Sequence, residues 1–71
     1  MPKYIFNKNA QTTGEHEVHN ENTCKYLPNI ENRVDLGYHD TCQSAVKEAK
    51  RQYPNNTFDG CYYCCLSCHT R

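Results

Sequence analysis

Six cysteines and four histidines among 71 residues set the terms on which this chain can fold. The large apolar side chains outside cysteine, alanine and tyrosine are Ile5, Phe6, Val18, Leu27, Ile30, Val34, Leu36, Val46, Phe58 and Leu66. That is a thin core, and domains of this size usually add disulfides, a structural metal or a partner. The cysteines are the obvious staple, either as a disulfide framework or as metal ligands. One domain spanning residues 1–71 is expected, because cores rarely split in so short a chain.

Compartment argues for metal. The opening, Met1-Pro2-Lys3-Tyr4-Ile5-Phe6-Asn7, turns polar before the apolar region of a secretion signal could form. The chain is therefore expected to be cytoplasmic, where thiols stay reduced. Histidines accompany the cysteines, and zinc is the expected cofactor. No apolar stretch approaches the roughly 18 residues of a membrane span. Eight Lys and Arg balance eight Asp and Glu, so composition alone does not make a basic nucleic-acid module.

The pattern along the chain predicts an α+β fold: a small antiparallel sheet of two or three strands, one helix from about 41 to 53, and a CxxC zinc knuckle. Residues 3–7 read as a strand, Asn7 to Gly14 as a turn-prone link, and residues 15–19 as an alternating strand. In that strand His16 and Val18 share one face, and Glu15, Glu17 and His19 the other. Residues 33–37 alternate again, with Val34 and Leu36 inward and Gly37 as the stop. Cys42, Ala45, Val46, Ala49 and Tyr53 form one helical stripe. Asp40 is the expected N-cap, with Gln43 completing a capping box, and Pro54 ends the helix. Asn55 to Gly60 reads as a loop.

The chemistry concentrates at the end of the chain. Cys61-x2-Cys64 lets a tight turn aim two sulfurs at one tetrahedral ion. A single CxxC is half a site, and His19-x4-Cys24 is the upstream candidate for the other half. A rival set overlaps it: Cys65-x2-Cys68 followed by His69, with Cys42 also in reach of the count. The fourth ligand thus stays open among His19, Cys42, Cys65, Cys68 and His69. Cys42 reads first as a core thiol, or else as a ligand or the disulfide partner of Cys65 or Cys68. Cys65-Leu66-Ser67-Cys68-His69 matches the c-type haem attachment spacing, but the apolar lining for a haem is missing. No phosphate-cradling glycine loop and no pair of carboxylates stands out, so no catalytic residue is assigned. Lys47, Lys50 and Arg51 form a small basic face on the helix, with Tyr62 and Tyr63 nearby in sequence.

Several of these residues together resemble a known family. Val18-His19-x4-Cys24-x-Tyr26-Leu27-Pro28, then Leu36-Gly37, then Ala45-Val46-x2-Ala49, then Gly60-Cys61-x2-Cys64, is similar to the Ada-type metal-binding domain. Related small zinc modules are appended to some bacterial nucleases and DNA-uptake proteins. The resemblance covers roughly residues 16–64 and implies zinc on His19, Cys24, Cys61 and Cys64. It favours a nucleic-acid association. Separately, the whole chain with its CYYC…CH tail resembles small stand-alone bacterial proteins of unassigned function. The first gap is four residues where three is usual, the lead-in from Pro54 to Cys61 is long, and residues 65–71 have no counterpart. The family's methyl transfer from DNA is not carried over to so neutral a chain. The expected function is a non-enzymatic structural-zinc domain acting as a macromolecular interaction module, for protein or nucleic acid. It is expected to be monomeric and to have no small-molecule substrate. The alternative is a thiol-based redox or metal-responsive protein using Cys65 and Cys68.

Overall fold

A computed structural model of the chain describes residues 1–70. Strands β1 (Lys3–Asn7) and β2 (Glu15–Asn20) form the predicted antiparallel hairpin, with Phe6 opposite Val18. Strand β3 (Arg33–Tyr38) pairs antiparallel with the other side of β1. The register slips between Tyr4 and Ile5, so that Leu36 is the extra residue. Next to it Gly37 takes φ +81°, a conformation open to glycine at little cost. Gly37 therefore lies inside the strand rather than ending it.

The sheet has a fourth strand that the sequence pattern did not predict. Strand β4 (Thr57–Gly60) runs parallel to β2, and the order is β3-β1-β2-β4. The sheet is thus mixed rather than purely antiparallel. Three residues between an Asn-Asn pair and Gly60 carry too little alternation to separate from a loop. Phe58 nonetheless buries its ring against Phe6, with centroids 5.0 Å apart.

Helix α1 (Cys42–Gln52) packs across the sheet through the predicted stripe: Cys42, Ala45 and Ala49 are buried, and Val46 and Tyr53 lie against the same core. Two alanines in that stripe let the helix approach the sheet closely. The N-cap is Thr41, not Asp40. The Thr41 hydroxyl accepts the backbone N–H of Ser44 at 3.2 Å, which satisfies one of the free donors of the first turn. The expected capping box does not form, because the Gln43 amide donates to Ser67 at 3.2 Å.

Cys42 is buried as expected, but as one half of a disulfide with Cys68 rather than as a core thiol. The bridge ties the first turn of α1 to a 3₁₀ turn at Leu66–Cys68. A second clasp holds the same tail. Buried Asp59 accepts hydrogen bonds from the backbone and hydroxyl of Thr70, at 2.8 and 3.0 Å.

The tail folds back so closely that Gly60 has no room for a side chain. A Cβ there would lie 2.6 Å from the Cys65 carbonyl oxygen and 2.6 Å from the Cys68 Cβ. Backbone cannot swing aside as a flexible side chain can. Gly60→Ala is expected to destabilise the fold by about 3 kcal/mol, read as a lower urea midpoint at unchanged slope.

Candidate metal centre

The pairing of β4 with β2 delivers two of the four candidate ligands to one place. Val18 lies level with Gly60, and the Cys61 amide donates to the Val18 carbonyl at 2.9 Å. The next residue on each strand is therefore His19 and Cys61, side by side at the strand ends. A turn after β2, closed by the Cys24 amide on the Asn20 carbonyl at 3.0 Å, returns Cys24 to the same point. The turn after Cys61, closed by Cys65 N–H to the Cys61 carbonyl at 2.8 Å, brings in Cys64.

His19, Cys24, Cys61 and Cys64 place one ligand atom each within 4.8 Å of all the others. The Cys24 sulfur is 3.4 Å from His19 Nδ1 and 3.8 Å from the Cys61 sulfur. The Cys64 sulfur is 3.9 Å from the same nitrogen. A tetrahedral ion about 2.3 Å from sulfur and about 2.0 Å from nitrogen would separate two sulfurs by about 3.8 Å, and sulfur from nitrogen by about 3.5 Å. The donor set fits an ion of that kind, and these four residues could hold one.

The surroundings orient the donors. With Nδ1 turned to the sulfurs, His19 Nε2 lies 3.4 Å from a Glu17 carboxylate oxygen. Glu17 is held in turn by the Gln11 amide at 2.6 Å. A carboxylate behind a histidine ligand fixes the tautomer and makes the ligating nitrogen more basic. Backbone amides converge on the sulfurs: Tyr26 donates to Cys24, Tyr63 and Cys64 donate to Cys61, and Asn20 donates to Cys64 at 3.3 Å. Such donors favour thiolate. The Glu17 partnership was partly legible, since Glu17 and His19 share a strand face, but two residues' separation alone does not distinguish it from a solvated acidic edge.

Without a cation the site keeps its protons. Burial raises the Cys24 thiol, and burial also pushes Cys61 up to about 12. A hydrogen bond with Cys65, then burial, raises Cys64. Burial, with Arg33's charge second, lowers His19 to about 4. A metal must displace thiol protons to bind, so its affinity rises with pH. For His19 the sign is as follows. The folded value lies below the ordinary 6.5, so folding with a neutral ring is favoured fully above that value and loses ground as pH falls from about 6.5 toward 4. Because protons compete for the His19 ring and the three thiolates, metal retention is expected to fall as the pH is lowered, and the fold with it. Circular dichroism alongside a colorimetric metal-release assay checks this, and a flat response down to pH 4 contradicts it.

The rival ligands lie elsewhere. Cys68 is in the disulfide, and His69 faces the Gly60 carbonyl at 3.0 Å and Asp59 at 3.3 Å. Cys65 is a buried free thiol whose sulfur is 4.0 Å from that of Cys64. His16 packs on Phe6 and Phe58, and His39 bridges the Leu36 carbonyl and Ser44. No known protein family, curated protein or solved structure matches this chain. No helix among the described residues is long and apolar enough to cross a membrane.

Proposed function

We propose that the chain is a non-enzymatic, structural-zinc domain that serves as a macromolecular interaction module. The spacing of the four donor atoms carries the reading. Three sulfurs and one imidazole at tetrahedral separations suit zinc by softness and by geometry. Four protein ligands leave no open position for water or substrate, so zinc here braces the fold rather than performing chemistry. The Ada-type likeness of the motif residues agrees with the same four ligands and with a small bacterial protein.

A zinc titration of the reduced, refolded chain tests this, with metal content read by native mass spectrometry. One equivalent is expected. Cys24→Ser, Cys61→Ser, Cys64→Ser and His19→Ala should each weaken binding by about 100-fold or more, and Glu17→Gln by about 10- to 100-fold. Loss of zinc in Cys65→Ser equal to that in Cys64→Ser would replace the ligand set, and absence of any bound metal would end the reading.

A second reading, thiol chemistry, has one observation in its favour: the chain holds a disulfide and a free cysteine in the same tail. The pair in question is Cys42–Cys68 rather than Cys65 and Cys68. Counting alkylatable thiols in the zinc-loaded protein before and after reduction separates a reactive pair from a static one.

A further inference from the structure

Resting on the interaction-module reading, we infer that its contact face is the carboxylate-free surface made by the tail and the basic side of α1, and that its partner is an acidic, apolar-studded protein segment. The chain's zero net charge hides a modest segregation, six carboxylates against four cations before α1 and two against four from α1 onward. Six of the eight carboxylates, from Glu15 to Asp40, precede α1. Of the other two, Glu48 is engaged by Arg51 at 2.6 Å and Asp59 is buried under the tail. Residues 60–70 contain no carboxylate at all.

On that face a cavity of about 340 Å³ runs between α1 and the Leu66–Cys68 turn. Val46 and the Cys68 end of the disulfide supply apolar wall, and Lys47 and Lys50 stand at its rim. Neither lysine has an ion-pair partner among the described residues, whereas Lys3, Arg33 and Arg51 all do. The cavity is open to solvent. A free small molecule there would bury too little of its surface, whereas a chain segment could run through it.

The face continues past the cavity. Ser67 and Cys68 line it, and the next residue, His69, meets the Tyr62 ring edge-on at 5.4 Å. Tyr62 meets Tyr63 at 5.3 Å, and Tyr63 stacks on Tyr26 at 4.1 Å. All three tyrosines and Leu66 are more than half exposed. Tyrosine is the residue type that anchors protein interfaces. The stacking of Tyr26 on Tyr63 already consumes ring faces that a nucleic-acid base would need. With Arg33 and Arg51 committed, the cations at the cavity rim, Lys47 and Lys50, suit two or three carboxylates better than a phosphate backbone. Both ligand loops carry these tyrosines, Tyr26 two residues after Cys24 and Tyr62-Tyr63 between Cys61 and Cys64, so the ion that joins the loops also assembles the platform.

The test is fluorescence anisotropy on zinc-loaded, disulfide-intact protein. The probes are a labelled twelve-residue peptide alternating Asp/Glu with Leu/Phe and a labelled oligo-dT of matched length. Peptide binding that weakens with salt is expected, with a loss of about tenfold or more in K47E/K50E and in Tyr63→Ser. Zinc content and melting temperature are measured on the same samples. Lys47 and Lys50 lie on α1, outside both ligand loops, so K47E/K50E should leave both unchanged and a failure of the zinc-domain reading is seen separately. Absence of peptide binding at low salt by folded, zinc-loaded protein overturns the inference. So does unchanged affinity in K47E/K50E, and so does oligo-dT binding in preference to the peptide.

Discussion

Zinc-loaded protein treated with a strong chelator is expected to lose its fold, not merely its ion. The reason lies in what the ion would join. Strand β4 has four residues and ends directly at Cys61. The Cys24 loop is tied back to β2 chiefly through backbone bonds to the Asn20 carbonyl. His19 and Cys61 are both about 1% exposed, so an empty site packs an imidazole and thiols against one another with little apolar return. The core that remains is one layer of side chains between a four-stranded sheet and an eleven-residue helix with two alanines at its centre. Zinc bound by a set of this kind supplies on the order of 10–16 kcal/mol of folding free energy, against the roughly 5–15 kcal/mol total stability of ordinary domains. Removing it should convert a dispersed proton spectrum and a mixed α/β circular dichroism signal into those of an unfolded chain, reversibly on adding zinc. A metal-free protein that keeps a cooperative thermal transition above 50 °C would show that the packing and the disulfide suffice.

The sequence pattern reached the hairpin, β3 and the helix because each has a period its neighbours lack. It reached the site because Cys61-x2-Cys64 and the single His19-x4-Cys24 together supply four donors, although Cys65-x2-Cys68 repeats the first spacing, and the structure brings the first four residues together. What it missed has physical causes. β4 is too short for alternation to show, and its strand character comes from long-range parallel pairing with β2. Asp40 and Thr41 are both good caps, and one residue of phase decided between them, since Gln43 found Ser67 instead. Asp59 reads as an ordinary surface acid, and only the return of Thr70 buries it. The disulfide was open for a different reason. Cys42 sits on the helix stripe where either a core thiol or a bridge fits, and the choice depends on where a tail 26 residues away docks.

That bridge carries the second large expectation. Cys42 and Cys68 enclose a loop with a sequence separation of 26. Closing a loop of that length in the unfolded chain is worth about 3.5 kcal/mol on the chain-entropy account. Zinc-loaded Cys42→Ala/Cys68→Ala is therefore expected to be about 3 kcal/mol less stable than the bridged protein, with a melting temperature lower by about 15 °C. The zinc stoichiometry should not change, because neither sulfur belongs to the four-ligand cluster. Reduction of the wild-type chain should reproduce the effect, provided that the reductant is one that does not bind zinc. The bridge also bears on where the protein works. A lasting disulfide belongs to an oxidising setting, whereas a reducing cytoplasm would hold the pair as thiols. Intact mass after rapid acid quenching of cells reports which form is present, since the bridged chain is lighter by the two thiol hydrogens. If reduction leaves the melting temperature unchanged, the tail is held by Asp59 and its own packing, and the bridge adds nothing to the folded state. If the temperature falls as expected, the candidate metal site and the disulfide sit at opposite ends of the same short tail: Cys61 and Cys64 at its start, the bridge at Cys68.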